Sequence, residues 1–274
     1  MKMGLLSIKD VDVIYYNDND KYIVKWLKYL IDQKIIPKGD VDDRDIREIK
    51  PSELEKYTQC HFFAGIGGWP YALKLANWRK SEPVWTGSCP CQPFSNAGKS
   101  KNLNDERHLW PAFRWLIAQC KPATVFGEQV AGKLGSRWLS GVRFDLEAMG
   151  YAVGAANLCA AGVGSPQIRQ RLFYVGYASD KRFKKRIHNK EVQQKKKQAQ
   201  ERKGFELSGS SFWQEYQFIE CKDKKIRRIP LEPLLFPLAH GIPNRTSILR
   251  GVGNAIVPQV GAVFVKSFLE TIKS

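Results

Sequence analysis

The sequence predicts an α/β fold in which a mainly parallel sheet is covered by helices on both faces. Two observations lead to this prediction. Short apolar runs typical of strands alternate with amphipathic helical patterns along 11–178, and one run passes through a glycine-rich turn directly into a helix. Strands that alternate with helices form parallel sheets, because each crossover needs a helix's length of chain. The chain has 274 residues and 43% hydrophobic content, which suits one large domain with a smaller insert.

The first half of the chain contains four predicted strands and two predicted helices. The strands are expected at 11–16, 38–41, 58–63 and 83–87, and the helices at 20–36 and 69–78. The helical period in 20–36 assigns one face to the core, formed by Ile23, Trp26, Leu27, Leu30 and Ile31.

The second half continues the alternation and then interrupts it. Strands are expected at 123–127, 151–158 and 171–178, and helices near 105–120 and 136–149. After about Tyr177 come a basic run and an aromatic, hairpin-like stretch, before an apolar helix at 253–272. We therefore predict a discontinuous α/β domain, 1–177 and 246–274, with an inserted region at 178–245.

Positive charge is concentrated in one segment of this chain. The formal net charge is +17, which points to a polyanionic partner, most simply a nucleic acid. Residues 181–203 alone contain eleven Lys or Arg against two Glu. A solvated linker and an arm that contacts nucleic acid are both consistent with such a run.

Cysteine spacing and apolar run length bear on compartment and metal content. The six cysteines are scattered without disulfide-like spacing, so we expect reduced thiols in a cytosol. No Cys-x-x-Cys or His-x-x-x-His pair is present, so no metal site is predicted. The apolar part of the N-terminal segment is too short for a secretion signal, and no apolar run approaches the roughly 20 residues of a membrane span. We expect a cytoplasmic, monomeric protein without a membrane partner.

Two short stretches are candidates for chemistry. Residues 87–99, GSCPCQPFSNAGK, place a proline between two cysteines, and inert thiols, part of a metal site or a nucleophile all remain open there. The stretch HFFAGIGGWPYAL (61–73) combines strand, glycine turn and helix, as at nucleotide-cofactor sites. Acidic residues at strand ends, Asp18 or Asp20 and Asp40, are candidates for binding ribose hydroxyls and an adenine amine.

Five motifs, taken together and in order, resemble those of DNA (cytosine-5) methyltransferases, in particular the compact bacteriophage and bacterial members. They are FAGIGG (63–68), PCQ (90–92), EQV (128–130), QIRQR (167–171) and GNAIVP (253–258). The resemblance covers most of 11–271 apart from the basic run. It implies a Rossmann-like, S-adenosylmethionine-dependent methyltransferase sheet with a small inserted target-recognition region, 178–245, whose basic arm is 181–203.

The resemblance implies methyl transfer from S-adenosylmethionine to carbon 5 of a cytosine flipped out of double-stranded DNA. Cys91 would add to carbon 6 as a thiolate, and Cys89 would line the cofactor site. Glu128 would protonate nitrogen 3 and needs a raised pKa to do so. Arg171 would contact the cytosine O2, whereas Arg169 would bind a phosphate or a loop. A purely structural salt bridge remains an alternative for these arginines.

Further residues are implied to bind cofactor or DNA. The cofactor set is Phe63, Gly65, Ile66, Gly67, Gly68, Asp18, Asp40, Pro90, Leu109, Asn254 and Ala255. The DNA set is Gln92, Ser95, Gln167, Arg227 and Arg228. Two alternatives stay open: the same chemistry on RNA, such as transfer RNA, and a DNA-binding protein that keeps the fold without activity. The intact Cys91, Glu128 and Arg171 argue against the second.

Two features depart from the family's pattern. Gln129 stands where the family has asparagine, which puts a contact with the Pro-Cys loop in doubt. In addition, only 19 residues separate Gly68 from Ser88, too few for the two strands and two helices that usually follow the glycine loop. We therefore predict a permutation in which the acidic strands precede the glycine strand, with Asp18 at the ribose hydroxyls and Asp40 at the adenine amine.

Overall fold

The computed structural model describes residues 13–90, 109–165, 167–178, 216–220, 224, 226–230 and 251–273. Nine strands lie in these ranges: β1 Ile14–Asn17, β2 Asp40–Asp42, β3 Gln59–Phe62, β4 Val84–Gly87, β5 Thr124–Val130, β6 Tyr151–Cys159, β7 Gln170–Ala178, β8 Tyr216–Glu220 and β9 Ile226–Pro230. The α-helices are α1 Lys21–Asp32, α2 Pro51–Leu54, α3 Gly68–Leu75, α4 Trp110–Cys120, α5 Lys133–Ala148 and α6 Pro258–Thr271. Short 3-10 helices occur at Ile46–Glu48 and Ala160–Val163.

Seven strands form one sheet in the order β2-β1-β3-β4-β5-β7-β6. The pairs from β2 through β5 are parallel, and β7 runs antiparallel to both β5 and β6. This arrangement confirms the predicted α/β fold. It also places β1 directly beside the glycine strand β3, with Asn17 opposite Phe62, as the predicted permutation requires.

Alternation along the strands divides the core between the two faces of the sheet. In β5, Val125 packs with α4 and α5 on one face, while Phe126 packs with α3 and α6 on the other. In β7, Tyr174 and Phe173 divide in the same way. Because successive side chains of a strand point to opposite faces, both faces must be covered. A third apolar cluster lies under α1.

Helix α1 is shorter than predicted and is rotated slightly from the predicted face. Asp20 caps its start by accepting hydrogen bonds from the backbone N–H groups of Tyr22 and Ile23. Ile23, Leu27 and Leu30 are buried, and so is Val24. Trp26, predicted to be in the core, is 38% exposed and packs beside Tyr29 with ring centroids 5.7 Å apart. The buried face is thus centred closer to Val24 than to Trp26.

Helix α6 packs against α3 and closes one face of the sheet. Contrary to the prediction that no apolar run is long enough, Gly251–Thr271 would be able to cross a membrane by length and composition alone. In the structure Val260, Val265 and Phe268 are buried in the cluster that also holds Trp69 and Phe126. The apolar side chains of this segment are therefore accounted for by packing in the core.

The predicted insert is described only in part. Strands β8 and β9 pair antiparallel, from Tyr216 opposite Pro230 to Glu220 opposite Ile226. The basic arm 181–203 lies outside the described residues. The domain boundaries at 177 and 246 stay predictions.

Replacing Phe126 tests how much the apolar cluster between the sheet and helices α3 and α6 contributes to stability. It is fully buried, and its ring contacts Trp69, Trp78 and Phe268. We expect Phe126→Ala to lower the free energy of unfolding by about 3–5 kcal/mol, because it leaves a cavity in a close-packed cluster. The matched control is Phe144→Ala, since Phe144 is 74% exposed and should change stability by less than about 0.5 kcal/mol. Urea unfolding of both variants gives the comparison, and equal losses would contradict this packing.

Candidate active site

The glycine-rich turn joins β3 to α3 at the carboxyl edge of the sheet. Phe63 and Gly65 both adopt left-handed backbone conformations, with φ of 50° and 54°. Such values are uncommon for a bulky residue, so the turn is held by its surroundings. A Cβ on Gly68 would lie 2.8 Å from Cγ1 of Ile256, so the start of α3 packs closely on the segment before α6. The turn is therefore a fixed element rather than a free loop.

Asp18 follows β1 and is bound to this turn. Its Oδ2 accepts a hydrogen bond of 2.9 Å from the N–H of Gly65, and its Oδ1 accepts one of 3.1 Å from the N–H of Asp20. The carboxylate is thus oriented at the junction of β1, α1 and the glycine turn. This is where the predicted permutation requires it.

The structure does not bring Asp40 to this edge. Asp40 pairs with Tyr15 at the beginning of β2, so it lies at the amino end of a parallel strand. Its carboxylate accepts a hydrogen bond of 2.6 Å from the Tyr57 hydroxyl and lies 3.6 Å from Nζ of Lys56. The strand prediction at 38–41 was displaced from the observed β2, which reversed the end at which Asp40 lies.

Asp45 lies three residues beyond the carboxyl end of β2, the end at which Asp40 was predicted. It caps the 3-10 helix Ile46–Glu48 by accepting from the N–H of Arg47, and the Arg47 side chain also pairs with it at 2.8 Å. Asp45 and Ile46 both line the cleft described below. The sequence does contain a signal for this site: Asp45 comes just after a short strand and is followed by the isolated apolar residue Ile46.

Glu128 and Arg171 form an ion pair on neighbouring strands. The Arg171 Nε lies 2.8 Å from Glu128 Oε1, and the two side chains are only 22% and 8% exposed. Antiparallel pairing of β5 with β7 sets Arg171 opposite Val130, so it is a diagonal neighbour of Glu128 on the same face. The sheet register therefore brings the predicted acid and arginine together.

Burial dominates the protonation of Glu128. It raises the pKa of this carboxyl from 4.5 to about 7, because the charged form loses its solvation. The positive charges of Arg171 and Arg169, and a hydrogen bond from Ser88, act in the opposite direction. A carboxyl group in this environment can exchange a proton near neutral pH.

The loop that follows β4 begins within the cleft. Ser88 accepts a hydrogen bond of 2.9 Å from Nε1 of Trp69, Cys89 is buried, and Pro90 is exposed. Burial raises the pKa of the Cys89 thiol well above its usual range, which leaves it protonated and unreactive. Cys91 lies outside the described residues, as do Gln92 and Ser95.

Arg169 is bound to the segment that precedes α6. Its Nη2 donates two hydrogen bonds of 2.7 Å, to the carbonyl oxygens of Gly253 and Ala255. Burial lowers the pKa of this guanidinium. Of the sequence alternatives for Arg169, loop binding is the contact present here. Gln167 lies exposed just before β7, and Arg227 and Arg228 belong to β9.

Gln129 uses its longer side chain locally. Its Oε1 accepts a hydrogen bond of 2.9 Å from the N–H of Val130. The Nε2 is buried and has no hydrogen-bond partner among the described residues.

A cleft of about 380 Å³ joins these elements. Eight residues predicted for catalysis or cofactor binding line it: Asp18, Phe63, Gly65, Pro90, Leu109, Glu128, Arg171 and Asn254. Ile66, Gly67, Gly68 and Ala255 belong to the two segments that border it but do not line it. In the described ranges, no group of three or more His, Cys, Asp or Glu side chains is placed to hold a metal ion. One cleft thus combines carboxylates, apolar walls and a buried acid–arginine pair.

Comparison with known proteins places the chain in a family. A family model described as C-5 cytosine-specific DNA methylase matches residues 80–232, more than half of the chain. The chain belongs to this family, which confirms the resemblance seen in its motifs.

Individual relatives match shorter parts. The type II methyltransferase M.AplI of Arthrospira platensis is 38% identical over 96 residues, which are 34% of this chain and 28% of the relative. M.FnuDI of Fusobacterium nucleatum is 30% identical over 173 residues, or 62% of this chain and 41% of the relative. The chain therefore spans less than half the length of these relatives. Among solved structures, the S. pombe Dnmt2 methyltransferase aligns with a TM-score of 0.47 and 15% identity, covering 96% of this chain and 99% of that one.

The protonation of Glu128 predicts a pH-dependent stability. Because the pKa is raised from 4.5 to about 7 on folding, the unfolded chain releases this proton first as pH rises. The folded state then binds more protons than the unfolded state, so Glu128 contributes less to stability as pH increases through this window. Glu128→Gln does not titrate, so its free energy of unfolding relative to the wild type should rise from about pH 4.5 to about pH 7. Urea unfolding across this range measures it, and a constant difference would contradict the burial effect.

Proposed function

We propose that the chain is a DNA cytosine-5 methyltransferase that acts on a cytosine flipped out of double-stranded DNA. The observation that carries this proposal is the buried Glu128–Arg171 pair in the same cleft as Pro90, the residue before Cys91. A buried carboxyl group with a raised pKa beside a cation is suited to protonate a ring nitrogen. The family membership supports the same chemistry.

The cleft fits S-adenosylmethionine as the methyl donor. Asp18 and Asp45 offer carboxylate oxygens for ribose hydroxyls and an adenine amine, while Ile46 and Phe63 offer apolar surface for the adenine ring. Two carboxylates and an apolar wall match a nucleoside better than they match a bare anion. When bound, this cofactor supplies an electrophilic methyl group.

In the proposed reaction the Cys91 thiolate adds to carbon 6 of cytosine, and Glu128 donates a proton to nitrogen 3. The addition makes carbon 5 nucleophilic, and carbon 5 then accepts the methyl group. Loss of the carbon-5 proton to a base, with expulsion of the thiolate and return of the nitrogen-3 proton, restores the aromatic ring. Arg171 pairs with the Glu128 carboxylate, and in this proposal it also contacts the cytosine O2.

We propose DNA contacts from two loops between strands of the sheet and from the region that follows the sheet. The residues proposed for these contacts are Gln92, Ser95, Gln167, Arg227 and Arg228, of which Gln167 precedes β7 and the two arginines belong to β9. We propose that the basic arm 181–203 neutralises phosphates, whose contacts set register without reading sequence. Because the named relatives are bacterial type II methyltransferases, we place the reaction in a bacterial or phage-infected cytosol.

Replacing the two cysteines tests the mechanism. We expect Cys91→Ser to abolish methyl transfer, because a hydroxyl is a far weaker nucleophile than a thiolate at neutral pH. Cys89→Ala is the matched control and should retain most activity, since this buried thiol is held protonated. The assay follows labelled methyl groups from S-adenosylmethionine into duplex DNA.

Two further measurements separate the proposal from its alternatives. DNA containing 5-fluorocytosine should form a stable adduct with the wild type and none with Cys91→Ser, because fluorine cannot leave as a cation. Transfer RNA offered in place of DNA should accept no methyl groups. Methylation of RNA alone would replace the proposed substrate, and an active Cys91→Ser variant would overturn the mechanism.

Three aspartates test the location of the cofactor. Asp18→Asn and Asp45→Asn should each weaken S-adenosylmethionine binding about ten- to a hundred-fold, the loss expected for one charge-assisted hydrogen bond. Asp40→Asn is the control and should leave the affinity unchanged, because Asp40 lies at the opposite edge of the sheet. Titration calorimetry without DNA measures all three. A loss in the Asp40 variant alone would assign the cofactor to the other edge.

A further inference from the structure

We propose that Ser88 positions Glu128, and that Trp69 in turn positions Ser88, so that a chain of hydrogen bonds links helix α3 to the acid. This inference deepens the proposed function, because it assigns further positioning residues to the same site. Neither residue was predicted from the sequence, since neither belongs to the charged or thiol groups that suggest chemistry.

The polarity of the chain follows from the donors available. The Trp69 Nε1–H lies 2.9 Å from Ser88 Oγ, and an indole can only donate. Ser88 must therefore accept this bond, which leaves its own hydroxyl proton free to be donated. Glu128 is the acceptor at hand: Thr86 lies opposite Phe126 in the parallel β4–β5 pair, so Ser88 and Glu128, each two residues further along, are cross-strand neighbours, and both line the cleft.

The sheet brings these three side chains to one face. Ser88 follows β4 in phase with Val84, which packs in the same apolar cluster as Phe126, and Phe126 precedes Glu128 by two residues. Residues two apart on a strand point to the same side. Trp69, Ser88 and Glu128 therefore lie on the same face of the sheet.

Trp69 is held rigidly enough to direct a hydrogen bond. It is 4% exposed, stacks on Phe126 with ring centroids 5.9 Å apart, and contacts Phe173 edge-on at 5.9 Å. It is also the second residue of α3, directly after the glycine turn. The orientation of its N–H group is thus fixed by the same turn that borders the cofactor half of the cleft.

This arrangement gives Glu128 two partners from different elements. In addition to the charge of Arg169, Arg171 on β7 pairs with one carboxylate oxygen at 2.8 Å, and the Ser88 hydroxyl is available from the end of the neighbouring strand β4. Both partners favour the ionised form, whereas burial favours the protonated form. Removing the Ser88 hydroxyl should therefore shift the balance toward the protonated acid and leave its orientation to Arg171 alone.

The direct test is titration of Glu128 by NMR, with ¹³C-labelled glutamate and assignment by loss of the signal in Glu128→Gln. In Ser88→Ala the pKa of Glu128 should rise by roughly one unit, the size expected for losing one hydrogen bond to a charged group. Ser88→Thr keeps the hydroxyl and should restore the wild-type titration. An unchanged pKa in Ser88→Ala would overturn the proposal.

Two tryptophan variants test the outer link. Trp69→Phe keeps an aromatic ring but loses the N–H, so it should raise the pKa of Glu128 in the same direction and by less than Ser88→Ala. Trp78→Phe is the matched control, because Trp78 also contacts Phe126 but donates its N–H to the carbonyl of Glu82. Equal shifts in the two tryptophan variants would indicate a general packing effect and exclude a role for the Trp69 hydrogen bond.

Activity gives a second, separable measurement. If Glu128 acts as the acid, kcat falls as pH rises through its pKa, and Ser88→Ala should move this fall to higher pH by the same amount as the NMR titration. If the wild type does not methylate cytosine but Ser88→Ala still raises the pKa of Glu128, the proposed function is refuted and the hydrogen-bond chain stands. A methyltransferase whose Ser88→Ala titration and pH profile match the wild type would refute the hydrogen-bond chain alone.

Discussion

The common direction of β1, β3, β4 and β5 is the constraint on which the site depends. Parallel strands end at the same edge of a sheet, so the residues that follow them converge whatever lies between them in the chain. Asp18 follows β1, the glycine turn follows β3, and Ser88 follows β4. Hydrogen bonds between these segments, from Gly65 to Asp18 and from Trp69 to Ser88, then fix their mutual positions. Strand direction therefore brings the residues of the cleft together, and the individual hydrogen bonds then hold them in position.

Strand direction also explains why chain order is free to vary. A carboxylate at the end of β1 meets the glycine turn through pairing of β1 with β3, and this pairing is the same whether β1 comes before or after β3 in sequence. What changes is only the path of the connections. The interval between Gly68 and Ser88 needs to hold one helix and one strand, which is what the structure places there.

The parts of the fold set by local periodicity were predictable, and those set by register were not. Short apolar runs located the strands to within a few residues, because a strand that is buried on both faces is apolar along most of its length. Asp40 shows the limit of this approach. A Cβ at Gly39 would collide with the carbonyl of Ile14, so the chain packs against β1 there, and β2 begins only after it. A shift of two residues moved the candidate carboxylate to the opposite edge, and no local pattern records such a contact.

In the candidate site, the identity of a residue could be predicted from the sequence, whereas its surroundings could not. Glu128 and Arg171 were identifiable by motif and Asp18 by its place after a predicted strand, but their chemistry depends on neighbours distant in sequence. Burial by the surrounding core raises the pKa of Glu128 to about 7, and the arginines and Ser88 limit that rise. A fully buried carboxyl without these partners would hold its proton too tightly to exchange it, whereas an exposed one would have lost it at neutral pH. The acid is therefore suited to donate and recover a proton because opposing effects of the fold act on one side chain.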